Sequence, residues 1–336
     1  MILVVMVYLL LGNITTTNFY LYLLLSISLF IGFYSLIKGS DVFIDGATGI
    51  AHMFNISEYV IGLTLVAFAT SLPELAVSVI SSFFSIEGIA IGNIIGSNIA
   101  NIGLILGIPM LVAKIRAGER DLIDIMIMCC IELLLFVFIL TSYTLSRYEG
   151  LFFVVLYIIY IRYLKGREKG NMVARVKGIF ENKKEEEIRF LKESILFFIS
   201  GIIGVIIGAN VLIKASTTLA RLLGISEYVI GMTLVAVGTS LPELATTIVA
   251  IAKKRKGIVV GNIIGSNIIN IVLVLGLASI VRPLTITGMD IVRPFIILFA
   301  LSLLLLVFLY TKETKRWFGA ILLIIYLIFL HYVWLC

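Results

Sequence analysis

The residues best suited to chemistry lie in two short segments that are nearly the same segment. Thr70-Ser71-Leu72-Pro73-Glu74 and Thr239-Ser240-Leu241-Pro242-Glu243 each set a carboxylate, two hydroxyls and a proline in the middle of a long apolar run. An ionisable side chain at membrane depth costs roughly 2.5 to 3.5 kcal/mol on insertion scales, so it is seldom idle. The prolines contribute main-chain oxygen: Pro73 has no N–H for the carbonyl of Ala69, and Pro242 has none for that of Gly238. Such carbonyls are tolerated in a bilayer only where a neighbouring helix, water or a cation meets them. Carboxylates, hydroxyls and carbonyls together form an all-oxygen set. Hard cations such as Na+ and Ca2+ prefer that set, Ca2+ taking about six to eight oxygens.

The following apolar run in each case adds neutral polar groups. Asn93, Ser97 and Asn101 are spaced four apart and share one stripe of a helix, as do Asn262, Ser266 and Asn270. An Asn brings a carbonyl oxygen without charge. Gly92 with Gly96, and Gly261 with Gly265, have the spacing that lets helix backbones approach closely. Each feature alone has a plainer explanation, since a membrane proline is most often a kink and a buried Asn or Ser often joins helices. Their joint recurrence beside two buried acids is not explained that way. Two ionised carboxylates in a low-dielectric site repel and hold their charge only when cations neutralise them. One Ca2+ balances both charges, whereas Na+ must arrive in several copies. The two ions then compete for the same oxygens, and competition for one site is the basis of exchange.

Positioning these groups requires membrane helices. The 336 residues are 61% hydrophobic and 14% charged, against about 25% charged in soluble domains, so no soluble domain of useful size is expected. Apolar runs predict ten spans near 19–37, 58–84, 88–113, 121–144, 149–165, 192–220, 227–252, 257–281, 290–311 and 316–335. Residues 1–18 read as an N-terminal apolar extension without a signal-peptide pattern. Residues 166–191, with the run Lys183 to Glu187, read as a charged linker between a first five-helix repeat over 19–165 and a second over 192–336.

An internal repeat organises the chain. Ile56–Leu75 and Ile225–Leu244 differ only at Leu63/Met232, Phe68/Val237 and Ala69/Gly238, an offset of 225 − 56 = 169. The same offset carries Gly92–Asn98 onto Gly261–Asn267 and Asn101 onto Asn270. Five spans separate the copies, and an odd number makes them enter the membrane from opposite faces. The expected fold is therefore all-α, ten transmembrane helices as two inverted five-helix repeats, the arrangement of secondary transporters with a midplane site.

Positive charge in short loops sets the orientation. Lys114, Arg116 and Arg120, the central linker, Lys253 through Lys256, and Lys312, Lys315 and Arg316 all fall on one side, which predicts a cytoplasmic linker and external termini in a multi-pass plasma-membrane protein. The net charge of +6 reports that bias rather than a nucleic-acid partner. Cys129, Cys130 and Cys336 lack metal-ligand spacing and read as packing residues. His52 and His331 lie near span ends and no HExxH is present, so an enzyme is not expected.

On the TSLPE and GNIIGSN pairs, which cover the repeat regions of both halves, the chain resembles the cation/Ca2+ exchanger superfamily, and its Na+/Ca2+ exchanger branch in particular. The resemblance implies alternating access and electrogenic exchange of several Na+ for one Ca2+, with no cofactor beyond the transported ions. It implies that Glu74 and Glu243 are the central Ca2+ ligands, with Thr70 and Thr239 offering main-chain oxygens. It further implies one flanking Na+ site at Ala67, Ser71 and Ser97, another at Ala236, Ser240 and Ser266, and Asn101 with Asn270 lining the middle. Proton-coupled relatives tend to carry Gly-Asn where this chain has Thr-Ser, which argues for Na+. K+-dependent members place Asp where this chain has Asn270, which argues against K+. The alternatives are an H+/Ca2+ or other cation antiporter of the same superfamily and, more remotely, a channel. Because one chain supplies both halves, a monomer is the expected functional unit, its partners being Na+, Ca2+ and lipid.

Overall fold

The computed structural model describes residues 16–54, 56–84, 87–112, 119–167, 185–222, 236–285, 292–310 and 315–335. Outside them fall most of the N-terminal extension, most of the linker, and 225–235 of the second repeat copy.

The first helix, α1, runs Thr16–Phe54, far past the 19–37 span that its charges suggest. Lys38 and Asp41 do not end it, because they face each other one turn apart and Lys253 reaches both Asp41 and Asp45. Its repeat mate, α9 (Glu185–Leu222), likewise begins before the 192–220 run. Glu185, Glu186 and Glu187 occupy the first turn of α9, where negative charge suits the helix dipole, and Arg189 pairs with Glu193. At 39 and 38 residues both helices exceed the roughly 20 needed to span a bilayer.

Between them the second span is α2 (Glu58–Ile61), a π turn (Gly62–Val66), α3 (Ala67–Thr70) and α4 (Leu72–Phe83). The third is α5 (Glu87–Ala100), a π turn (Asn101–Leu106) and α6 (Gly107–Val112). The fourth and fifth are α7 (Glu119–Ser142) and α8 (Arg147–Arg167). In the second half, α10 (Ala236–Thr239) and α11 (Leu241–Ala252) form the seventh span. The eighth is α12 (Lys256–Ile269), a π turn (Asn270–Leu275) and α13 (Gly276–Val281). The last two are α14 (Val292–Tyr310) and α15 (Arg316–Leu335). A two-residue ladder, β1 (Thr144–Leu145) against β2 (Leu284–Thr285), clips together the loops after α7 and α13. It is the one departure from an all-α chain among the described residues.

Burial separates core from rim. Of the most apolar stretch, 94% is buried in the 256–281 span and 78% in 90–112, but only 22% in α1 and 28% in α9. α1 and α9 pack on each other and turn their other faces outward. A Cβ on Gly39 would sit 2.6 Å from the backbone nitrogen of Val205, and one on its mate Gly208 would sit 2.5 Å from that of Leu36. Gly39→Val should therefore destabilise the protein by about 1 to 3 kcal/mol in detergent melts, since backbone cannot yield as a side chain does. Gly204→Ala, whose Cβ would lie 3.1 Å from Gly39 Cα, should cost less.

Candidate functional site

The two TSLPE segments break their spans where the prolines require it. Ser71 (φ −81°, ψ 5°) and Ser240 (φ −88°, ψ 5°) leave the helical conformation, and each proline lies in the first turn of the next helix, where a missing N–H is harmless. The second span bends by 46° there. This places Glu74 and Glu243 in the first turns of α4 and α11, both essentially inaccessible to solvent.

The halves meet across a two-fold relation that the hydrogen bonds repeat at the offset of 169. Thr70 Oγ1 donates to Asn262 Oδ1 at 3.2 Å, and its mate Thr239 Oγ1 to Asn93 Oδ1 at 3.2 Å. Glu74 is approached by Thr239 and Ser240 of the other half, and Glu243 by Thr70 and Ser71, while the two carboxyls act on each other electrostatically. Each acid thus faces the hydroxyls of the opposite motif. Ser97 Oγ donates to Glu74 Oε1 at 3.4 Å, and Ser266 lies 3.5 Å from the Thr70 hydroxyl.

Along the axis, Asn98 Nδ2 donates to the main-chain oxygen of Asn267 at 3.1 Å and Asn267 Nδ2 to that of Asn98 at 3.4 Å. Asn101 Nδ2 donates to Asn267 Oδ1 at 3.0 Å, and Asn270 Nδ2 to Asn98 Oδ1 at 2.9 Å. These four amides turn the Oδ1 atoms of Asn101 and Asn270 away from any protein donor. The π turns begin at the same two residues, as such turns often do at functional positions.

What results is a buried store of acceptors. Among the described residues, seven oxygens of the sequence-nominated residues have no hydrogen-bond partner: Ser71 Oγ, Glu74 Oε2, Asn101 Oδ1, Ser240 Oγ, both oxygens of Glu243, and Asn270 Oδ1. Buried oxygens without donors are costly unless something positive meets them. Among the described residues no group of three or more His, Cys, Asp or Glu gathers, so two acids and neutral oxygens make up the donor set.

Of the nominated residues, Glu74, Glu243, Thr70, Thr239, Ser71, Ser240, Ser97, Ser266, Asn101 and Asn270 are all buried and joined by these contacts. Ala67 is buried against Gly265. Ala236 begins α10, and its side chain lies outside the described set. Gly261 and Gly265 do receive a neighbouring backbone, that of Tyr59 and Leu63. The symmetry mates that would face Gly92 and Gly96 are outside the described residues.

Sequence reasoning missed the roles of Asn98 and Asn267, although both stand in the repeated GNIIGSN motif. They lie off the four-residue stripe, and only the packing of the two halves puts them on the axis. It also missed two buried acids of α7. Asp124 is held by Arg167 Nη1 at 2.8 Å to each oxygen, with bonds from Tyr59 and Tyr160. Glu132 accepts a 2.8 Å bond from Ser302, and its second oxygen has no partner among the described residues. Their offset mates are Arg293 and Leu301, so a repeat search cannot reveal them.

Known proteins share this architecture. The sodium/calcium exchanger protein family matches residues 24–165 and 193–335. The chain is 38% identical over 337 aligned positions to sodium/calcium exchanger MaX1 of Methanosarcina acetivorans, covering 90% of this chain and 96% of that one. To inner membrane protein YrbG of Escherichia coli K12 it is 31% identical, over 84% of this chain and 87% of that one. Among solved structures, the sodium-calcium exchanger NCX_Mj soaked with Na+ and Ca2+ superimposes with a TM-score of 0.78 at 34% identity, covering 91% of this chain and 97% of that one. Two inverted halves, a shared buried oxygen cluster and these matches along nearly the whole length make the chain a ten-span member of the sodium/calcium exchanger family.

Proposed function

We propose that this chain is a Na+/Ca2+ antiporter that works by alternating access. The observation that carries the proposal is the cluster of buried oxygens around Glu74 and Glu243 without a donor among the described residues, to which both halves contribute. Two carboxylates balance one Ca2+. Neutral oxygens on either side, from Ser71, Ser97 and Ala67 in one half and Ser240, Ser266 and Ala236 in the other, offer flanking places for Na+. The main-chain oxygens of Thr70 and Thr239 join the centre, consistent with hydroxyl protons already engaged by Asn262 and Asn93. Several Na+ against one Ca2+ moves net charge, so the exchange is electrogenic. MaX1 and NCX_Mj are sodium/calcium exchangers by name, and NCX_Mj has been soaked with Na+, Ca2+ and Sr2+, which supports the same ion pair here.

The division into repeats at 19–165 and 192–336 about a linker at 166–191 is part of the same reading, as is a monomer in the plasma membrane. The positive loops place the linker in the cytoplasm and both termini outside. In proteoliposomes, an outward Na+ gradient should drive 45Ca2+ uptake that builds a membrane potential. Uptake driven by a pH gradient and not by Na+ would overturn the choice of ion.

Asn270→Asp tests the middle of the site. A third carboxyl beside the pair adds charge that the present ions do not balance. The variant should shift Na+/Ca2+ preference by about tenfold at neutral pH and return toward the parent profile at acidic pH, where the added acid is protonated and carries no charge. An unchanged ion and pH profile would place Asn270 outside the ion path.

A further inference from the structure

The two halves repeat each other at the ion site, but at one end of the molecule they do not. Lys253 lies in the turn after α11, at the foot of the span that carries Glu243. Its ammonium reaches Asp41 Oδ1 at 2.8 Å, Asp45 Oδ1 at 2.6 Å and the Asp41 main-chain oxygen at 2.9 Å, all on α1. Burial disfavours the charged lysine, but the two carboxylates outweigh burial and raise its pKa above the ordinary value. Applying the offset of 169 to this triad asks what the opposite face of the membrane has instead. Asp41 maps to Asn210, Asp45 to Lys214, and Lys253 to Phe84. No ion pair can form among an amide, a lysine and a phenylalanine.

α1 is a distinctive helix to fasten. The most apolar stretches of α1 and α9 are only 22% and 28% buried, and beyond each other the two helices meet the molecule chiefly at α10 and α11, the seventh span. An inverted-repeat exchanger passes between two states in which the halves swap roles, so identical halves would make the two states equal in energy. A contact present on one face and impossible on the other breaks that equality. Only a difference between states shifts a population.

We propose that Lys253 is a conformational latch: clamped by Asp41 and Asp45, it holds α1 against the end of α11 and favours the state closed at the face bearing the 253–256 turn, the cytoplasmic face in the orientation above. A second tie, Arg255 to Glu58, fastens the same turn to the start of α2, and its mates Ile86 and Glu227 cannot reproduce it. The Lys253 tie joins the outer helix pair to the ion-binding span, whereas the Arg255 tie joins two core spans. The inference rests on the alternating-access reading.

The test uses the full chain reconstituted in vesicles of defined orientation. Lys253→Gln should retain exchange but change the ratio of apparent Ca2+ affinities at the two faces by about fivefold, the scale of a partly exposed ion pair, in favour of the 253–256 face. Amide hydrogen exchange in residues 41–54 should rise in the same variant. Lys253→Asp combined with Asp41→Lys should restore both readouts, which a merely local packing role would not. An unchanged affinity ratio with unchanged hydrogen exchange, or no recovery in the swapped pair, overturns the latch. If the unsubstituted protein moves no Ca2+ against Na+, the functional reading fails, while hydrogen exchange still decides whether Lys253 holds α1.

Discussion

Glu74→Ala and Glu243→Ala should each abolish Na+-driven Ca2+ flux while the protein still inserts and remains folded. Removing either carboxylate leaves one negative charge to balance a divalent ion in a site with almost no access to water. In such surroundings a missing charge is worth far more than at a surface, and the neutral oxygens nearby cannot supply it. Folding should tolerate the change, because Glu74 Oε2 and both oxygens of Glu243 make no hydrogen bond among the described residues, and the bond that Glu74 Oε1 accepts from Ser97 is long at 3.4 Å. The informative comparison is Glu74→Gln, which keeps shape and one carbonyl oxygen. It should also lose Ca2+ exchange, since charge and not volume is what the ion requires. Ion flux and size-exclusion behaviour measured on the same preparations check this. Retained Ca2+ transport in both alanine variants would refute the site.

The second large effect concerns stability rather than transport. Arg167→Ala should destabilise the protein by about 3 to 5 kcal/mol, because it strands Asp124 as an uncompensated charge. Asp124 is completely buried, and Arg167 meets both of its oxygens while stacking over Tyr163 at 5.2 Å. Tyr59 and Tyr160 remain as donors, but two neutral hydroxyls do not replace a guanidinium. Adding Asp124→Asn to Arg167→Ala should recover much of the loss, since an amide tolerates burial better than a lone carboxylate. Thermal unfolding in detergent reads both variants, and a double variant no more stable than the single would count against the ion pair. The pair also anchors the last residue of α8, next to the linker, to the fourth span.

Some of this was legible in the residues and some was not. Pro73 and Pro242 predicted helix breaks, and the breaks fall one turn before the two acids, where a ring without an N–H must begin a helix rather than continue one. Lys38 and Asp41 suggested that the first span stops near residue 37, and here local polarity misled. Charges interrupt a membrane helix only when nothing answers them, and Lys253, distant in sequence, does answer them. Asn98 and Asn267 were visible as repeated letters but not as partners, because each bonds the other's main chain across an interface that no single span contains.

The order of residues alone was enough to read the number of spans, the inversion of the halves, and most of the polar residues that gather at the centre, Asn98 and Asn267 excepted. Apolar run length, span parity and a constant offset are properties of order along the chain, so they need no folding to be read. How the halves meet follows from packing instead: each glutamate faces the other motif's hydroxyls, four asparagines cross on the axis, and π turns start at Asn101 and Asn270. Packing also exposed the asymmetry between the faces, because the repeat mate of Lys253 is Phe84 and the partners of Lys253 lie 212 and 208 residues away. Contacts of that kind follow from which surfaces pack together, and a repeat in sequence specifies the surfaces without specifying their meeting.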